Sequence, residues 1–401
     1  MTNKRFCIKM SSILPGCIEL LTGALLIYEG WYLEKYTAIP GVLQILALMI
    51  IGLTAILIMR HMKQAVNSTI VWWGVFGLYS LVSAWLIGAN MYIVTDALFT
   101  YFSFIAVTYC AGVVSSYTKN YVWFSKTIMI VCMMCAVSAL SNGVQYKNGE
   151  HYVITMSNHN NPNTLGLIMA IGIFILLFYE RNNGLIGRIL RIIFAGIFFI
   201  VTVNTGSRSA LLCAVAVIGI YIYSLLKNTN GKILVRILKR MFVIIAVCSV
   251  VMIAVQYLLE NNISGSGINR LFEKMNGDSF SGRTDLYVVA WQMFLDNMLF
   301  GVGYKCFASL GGFGYYTHST YIELLSCTGI IGFVLFMVPI ISGLKNAIRF
   351  FKNDNGRGVT ILMMMIVSGF FGIVYYGMVF LMVLYMEMNR IPTIRNSTLK
   401  R

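Results

Sequence analysis

The chain has 401 residues, of which 58% are hydrophobic and only 11% are charged, with a formal net charge of +16. A soluble domain carries about 25% charged residues, so this composition excludes an ordinary soluble protein and predicts an all-α, polytopic membrane protein. Cytoplasmic loops of such proteins retain Lys and Arg, which accounts for the positive charge, and we expect no nucleic-acid partner.

Apolar segments of the roughly 17–25 residues that cross a bilayer recur along the chain. The first follows a basic N-terminus and lacks the small-residue cleavage site of a signal peptide, so it is predicted to be a span. The predicted spans are 11–28, 41–59, 70–88, 93–115, 122–140, 164–180, 188–203, 208–226, 240–258 and 319–343, followed by a longer apolar run over 359–388.

The distribution of basic residues predicts the topology. With the N-terminus in the cytoplasm, 23 of the 30 Lys and Arg residues fall on the cytoplasmic side, provided that the C-terminal tail lies there too. That condition requires an even number of spans, so 359–388 is predicted to form two short helices that turn near 372–377. We therefore expect about 12 spans, both termini in the cytoplasm, and a single integral membrane domain over 1–401.

One long polar segment, 259–318, lies on the predicted outer side. It keeps Arg270, Lys274, Arg283 and Lys305, although outward loops normally have few such residues. Retained outward cations indicate an anionic ligand on the outer face.

This loop contains one helical pattern and one cysteine of interest. Ser281 is predicted to cap a helix over 283–296, which we expect to lie on the outer membrane interface. We expect Cys306 to be exposed on the outside, and a lone outward cysteine argues against a disulfide framework. The residues with helical spacing, expected to face the membrane, are Leu286, Val289, Ala290, Met293 and Phe294.

Arg208 stands at the predicted outer boundary, at the start of a span. An Arg at a helix N-terminus opposes the helix dipole and the positive-inside bias. It is either an interfacial Arg whose head extends to water or a phosphate ligand, assisted by the free N–H groups of the helix start.

Arg283 has two similar interpretations. It either pairs locally with Asp285 or forms a second phosphate clamp. Two Arg residues suit a diphosphate because a leaving diphosphate gains charge in the transition state.

His318 precedes the span at 319–343, and Glu323 follows five residues later. A lone His is commonly structural, but it is also the side chain that best accepts a proton near neutral pH. Glu323 is an unusual residue for a span, and it is predicted to orient the imidazole or to bind a sugar hydroxyl.

Asn161 and Asn163 flank Pro162 on the outer side before another span. They either form a helix entry or an amide-rich rim that binds glycan hydroxyls. Outward acidic residues are few and scattered, so we expect no metal site.

Six short motifs occur in an order that resembles the O-antigen ligase and polysaccharide polymerase superfamily of the Wzy type. The resemblance implies a glycosyltransferase C-type architecture and a metal-independent membrane enzyme that uses a polyprenyl-diphosphate-linked glycan on the outer face of the plasma membrane. It assigns diphosphate binding to Arg208 and Arg283 and catalysis to His318. We expect Glu323 to take part in catalysis with His318, and Asn161, Asn163 and Tyr321 to bind glycan. The motifs are Asn161-Pro162-Asn163 with Gly166, Gly206-Ser207-Arg208-Ser209, Ser281-Gly282-Arg283-Thr284-Asp285, Phe300-Gly301-Val302-Gly303, Thr317-His318-Ser319-Thr320-Tyr321 with Glu323, and Thr328-Gly329-Ile330-Ile331-Gly332.

The acceptor distinguishes two enzymes within this family. A polymerase joins repeat units into capsule, exopolysaccharide or O-antigen, whereas a ligase passes glycan to a lipid core, a wall polymer or a protein. The polymerase is favoured because no acceptor-binding domain is appended, and we expect a flippase and a chain-length regulator as partners. A glycolipid transporter is the third alternative, but transporters tend to have internal repeats and none is seen.

Overall fold

The computed structural model describes residues 14–25, 46, 49–54, 68–118, 122–142, 144–147, 151–154, 162–179, 184–227, 283–372 and 383–385. Nearly all of these residues are helical. The helices are Leu14–Leu25 (α1), Ser68–Leu86 (α2), Met91–Thr118 (α3), Val122–Asn142 (α4), Pro162–Phe178 (α5), Leu185–Asn204 (α6), Arg208–Lys227 (α7), Arg283–Asp296 (α8), Phe307–Leu310 (α9), Thr320–Arg349 (α10), Phe351–Asp354 (α11) and Arg357–Phe371 (α12).

Five of these helices, α2, α3, α4, α6 and α10, are long and apolar enough to cross a membrane. Four others, α1, α5, α7 and α12, are apolar but shorter. The prediction of a multi-pass membrane protein is therefore confirmed. The predicted span 240–258, most of 41–59 and most of the second half of 359–388 lie outside the described residues, so the count of twelve stays a prediction.

The described residues also include a β-hairpin that the all-helical prediction did not contain. Strands Val144–Lys147 (β1) and His151–Ile154 (β2) pair antiparallel, with Val144 opposite Ile154. Both segments are rich in β-branched and aromatic residues, which favour strands, but they are too short to register in a search for spans.

Contacts divide the chain into two compact units. The first takes its described residues from Met1–Val131, Gly282–Leu344 and Gly369–Thr393. Its core holds four aromatic rings, from Phe76, Tyr101, Tyr304 and Phe336, with centroid distances of 5.4–6.0 Å. Aromatic pairs of this kind stabilise by about 0.5–1.5 kcal/mol each beyond their buried area. Tyr304 thereby anchors part of the predicted outer loop among the helices of the first unit.

The second unit takes its described residues from Cys132–Ser281 and Lys345–Ser368. Helix α5 is its central element, and most of its side chains are buried. Glycines on α5 permit close packing: a Cβ at Gly172 would meet the Phe198 ring at 2.7 Å, and one at Gly166 would meet the Thr205 hydroxyl at 2.9 Å.

Helix α10, predicted as one uninterrupted span over 319–343, is broken at Gly329. This residue has φ +64° and ψ −173°, a region that is essentially restricted to glycine. The break separates a short helical piece, residues 320–328, from a longer one, residues 330–349. Local hydropathy did not reveal the break because all of its flanking residues except one threonine are apolar.

Backbone hydrogen bonds from the end of the outer loop brace this break. Val302 and Gly303 donate their N–H groups to the carbonyls of Ser326 and Cys327, both at 2.9 Å. On the other side of the break, the N–H group of Ile330 donates to the carbonyl of Met298 at 2.8 Å. The polar backbone groups that the break exposes are thus satisfied, as they must be within a membrane protein.

Candidate functional site

His318 lies in a tight turn just before α10, in the first unit. Its φ of +60° is left-handed, a conformation that costs a non-glycine residue on the order of 1–3 kcal/mol and that clusters at functional sites. His318 is partly buried, while its neighbours Thr317 and Ser319 are fully buried. The surrounding contacts therefore impose this conformation.

Glu323 provides those contacts. Its side chain is 1% exposed, and its Oε2 accepts a hydrogen bond from the N–H group of Thr317 at 2.8 Å and lies 3.1 Å from the Thr317 hydroxyl. The N–H group of Glu323 donates to the carbonyl of Ser319 at 3.0 Å. Glu323 thus binds the backbone on both sides of His318, and we interpret it as a positioning residue that acts through this turn.

Two tyrosines stack near the imidazole. The ring of Tyr316 lies 4.5 Å from that of His318, and the ring of Tyr315 lies 6.1 Å from it, measured between centroids. Tyr315 is 48% exposed. The sequence search missed both residues, and the only signal for them was their place between a glycine-rich turn and the histidine.

Burial lowers the pKa of His318 to about 4, and the positive charge of Arg283 lowers it as well. Two of the predicted site residues are therefore electrostatically coupled within the first unit. At neutral pH the imidazole is uncharged and has a free lone pair that can accept a proton.

Arg283 is the first residue of α8, a helix that begins and ends where the sequence predicted. Its buried residues are Leu286, Ala290 and Phe294, and Leu286 and Ala290 form a cluster with Phe307. The predicted apolar face thus packs on protein, and the expectation that this face would lie on the membrane is wrong. It is covered because the loop after α8 folds back beneath it.

The prediction that Cys306 is exposed on the outside is also wrong. Its side chain is 1% exposed, because the same loop folds back on the protein. A Cβ at Gly303 would lie 2.7 Å from Ala89 and 3.1 Å from the Cys306 sulfur. The segment therefore packs tightly against the turn between α2 and α3. Burial raises the pKa of the Cys306 thiol, which disfavours its thiolate form.

Arg208 belongs to the second unit, where it is exposed at the start of α7. Ser207 caps this helix by accepting the N–H group of Ala210 at 3.4 Å. Gly166, one turn after Asn163, approaches Ala210 so closely that a Cβ would lie 2.6 Å from it. The starts of α5 and α7 therefore lie side by side, and their dipoles present two partially positive ends near Arg208.

Residues 193–337 match the family model described as O-antigen ligase. This segment of the chain is therefore similar to the O-antigen ligase family. The resemblance to the O-antigen ligase and polymerase superfamily is thereby confirmed, and a glycosyltransferase-like membrane enzyme is supported. A search of curated proteins gave no match.

The segment that matches this family model, residues 193–337, contains Arg208, Arg283, His318 and Glu323. Asn163 precedes it and is partly buried at the start of α5. Asn161 lies outside the described residues.

Tyr321, also within the matched segment, makes the contacts of a packing residue. Its ring lies 4.7 Å from that of Phe370 and 6.5 Å from that of Phe333, and Gly369 leaves room for its hydroxyl. Its predicted role as a glycan ligand stays a prediction.

Proposed function

We propose that this protein is a membrane glycosyltransferase that polymerises polyprenyl-diphosphate-linked oligosaccharide repeat units on the outer face of the plasma membrane. The observation that carries the proposal is the left-handed turn of His318, which Glu323 holds in place. The low pKa of His318, to which the charge of Arg283 contributes, supports it. A proton acceptor within the electrostatic influence of a cation is the combination required to activate a hydroxyl and to release an anionic leaving group.

In the proposed reaction, His318 accepts the proton of an acceptor hydroxyl as its oxygen attacks the anomeric carbon of the donor glycan. A new glycosidic C–O bond forms, the C–O bond to the lipid diphosphate breaks, and the diphosphate leaves with the electron pair. Arg283 stabilises the negative charge that develops on it. The guanidinium charge supplies this stabilisation without a metal ion.

We propose that the bound donor also changes the pKa of His318, which is about 4. An imidazole with that pKa is neutral but is a weak base. Because Arg283 contributes to the low value, a diphosphate bound at Arg283 offsets its charge and raises the pKa of His318. The base therefore becomes stronger when the donor is bound.

Arg208 is proposed as a further diphosphate ligand on the basis of the family resemblance. Its exposed position at a helix start, beside the start of a second helix, favours anion binding.

A ligase is the second candidate, favoured by the description of the family that matches. One observation favours the polymerase over the ligase. The half-exposed ring of Tyr315, next to His318, offers an apolar surface on which a sugar acceptor can stack, which suits a glycan acceptor better than a lipid headgroup.

The products distinguish the two enzymes. A ladder of products from purified protein in liposomes with lipid-linked repeat units would indicate a polymerase. Transfer only to an added lipid or protein acceptor would indicate a ligase.

Substitution of His318 tests the chemistry itself. General-base catalysis contributes about 10²–10⁴-fold, so His318→Ala should lower turnover by that factor while donor binding persists. His318→Gln keeps hydrogen bonding but takes up no proton at neutral pH, and it should lose activity to a similar extent. A Gln variant near the wild-type rate would exclude proton transfer and leave His318 with a positioning role.

A further inference from the structure

Helix α8 has a second apolar stripe, separate from the one that packs on protein. Val288, Trp291 and Leu295 are 62%, 49% and 44% exposed. At about 100° per residue they fall within about 60° of one another around the helix. We propose that this stripe, which we call the outer stripe, contacts the acyl chains of the membrane leaflet into which the α2–α3 turn projects.

The outer stripe is continuous with the exposed apolar surface of a helix long and apolar enough to span the membrane. Met298 and Leu299 follow α8 and are 52% and 56% exposed. The carbonyl of Met298 accepts the N–H group of Ile330 at 2.8 Å, which joins this surface to the spanning part of α10. Ile330 and Val334 are 40% and 48% exposed there, as lipid-facing residues of a span would be.

The contacts of Tyr79 indicate how far this surface lies from the end of α2, and so how deep it lies in the membrane. Its hydroxyl lies 3.0 Å from the carbonyl of Leu299 and 2.9 Å from that of Thr328. Tyr79 is seven residues, or about 10 Å, from the end of α2 at Leu86. The exit of α8 is therefore level with the last two turns of a membrane-spanning helix, below the water-facing end of the bundle.

A polar stripe runs beside the outer stripe, about 90° around the helix. It consists of Asp285, Gln292 and Asp296, all exposed, and Gln292 donates to the Asp296 carboxylate at 2.9 Å. A helix with protein on one side, apolar residues on a second and carboxylates on a third fits the boundary between lipid and water. A tryptophan in the apolar stripe is typical of that level.

Spin labels test this placement without reference to enzymatic activity, so the result is independent of the proposed function. Val288→Cys and Gln292→Cys place a nitroxide on the two stripes of one helix, four residues apart and both exposed. In liposomes, the label at position 288 should collide more with oxygen, which concentrates in lipid. The label at 292 should collide more with a water-soluble nickel chelate.

Two results would overturn the proposal. Equal access of nickel chelate to both labels would place the outer stripe in water. Broadening of the spectrum at 288 that disappears when labelled protein is diluted with unlabelled protein would show that a second copy covers the stripe. Labelled protein is first compared with wild type by gel filtration.

A second experiment tests the same placement if the cysteine variants fail to fold. It uses Trp291→Phe, a substitution that disturbs the fold little. Tryptophan fluorescence is compared between wild type and Trp291→Phe in vesicles with and without brominated lipid. The component lost in Trp291→Phe should be quenched by bromine attached near the headgroup end of the acyl chain. An unquenched Trp291 component would contradict lipid contact.

Discussion

Substitution of Gly329 by alanine should destabilise the protein far more than a glycine substitution normally does. The break in α10 depends on this residue in two ways. Its backbone occupies a glycine-only region, and a Cβ would collide with the carbonyl of Leu299 and lie 2.6 Å from the nitrogen of Phe300. The colliding atoms are backbone, which cannot move aside as a flexible side chain can.

The expected loss has two parts. The backbone conformation alone costs alanine on the order of 1–3 kcal/mol. Displacing the segment 298–303 also weakens three backbone hydrogen bonds, those of Ile330, Val302 and Gly303, each worth about 1 kcal/mol. The total is about 4–6 kcal/mol.

Gly88 provides the matched control. Its φ is +68°, close to that of Gly329, but a Cβ there would meet no atom within 4 Å. Gly88→Ala should therefore cost only about 1–2 kcal/mol, the usual penalty for a left-handed residue.

The assay is thermal unfolding of both variants in the same detergent at the same heating rate, because unfolding of such proteins is often irreversible. Gly329→Ala should unfold at a clearly lower temperature than Gly88→Ala. Equal midpoints would refute the close approach of the outer loop to the helix break.

Four further outcomes are expected at the candidate site. Arg283→Gln removes a charge that lowers the pKa of His318, so the acid limb of the activity profile should move to higher pH; an unmoved limb would contradict the coupling. Tyr315→Ala should raise KM for the acceptor while Tyr315→Phe retains it, and equal kinetics of the two variants would remove the stacking role. Arg208→Lys keeps the charge but loses the bidentate fork, so activity should fall about ten- to a hundredfold while the protein level is unchanged. Near-normal activity would indicate that Arg208 only extends its head group to water. Glu323→Ala leaves a buried N–H group without its acceptor and should lower stability by about 1–3 kcal/mol, measured as the shift in unfolding temperature; no shift would contradict its role in the turn.

Local periodicity was sufficient to predict α8, because apolar residues at helical spacing determine where such a helix begins and ends. It was insufficient to decide which face lies on protein. Leu286 and Ala290 fit the pattern, but Val288, Trp291 and Leu295 form a second apolar stripe on the same helix. A single sequence gives no means of assigning one stripe to the core and the other to lipid.

The burial of Cys306 and the break in α10 escaped prediction for a different reason. Both depend on contacts between residues far apart in sequence, such as Val302 with Ser326 and Gly303 with the turn that contains Ala89. A glycine-rich polar loop has the composition of an exposed segment. These contacts, together with the aromatic anchor at Tyr304, whose neighbours come from other helices, hold this loop in the first unit.

The helix break relates two mostly apolar motifs to the histidine. The short piece of α10, residues 320–328, is held at its start by Thr320, whose hydroxyl donates to the carbonyl of Gly372 at 2.8 Å. It is held at its end by Val302 and Gly303. Between these points Glu323 binds the turn that carries His318. A nine-residue helix fixed at both ends gives the turn of His318 a rigid support, and the Phe-Gly-Val-Gly and Thr-Gly-Ile-Ile-Gly segments contribute to that support through the backbone contacts at the break.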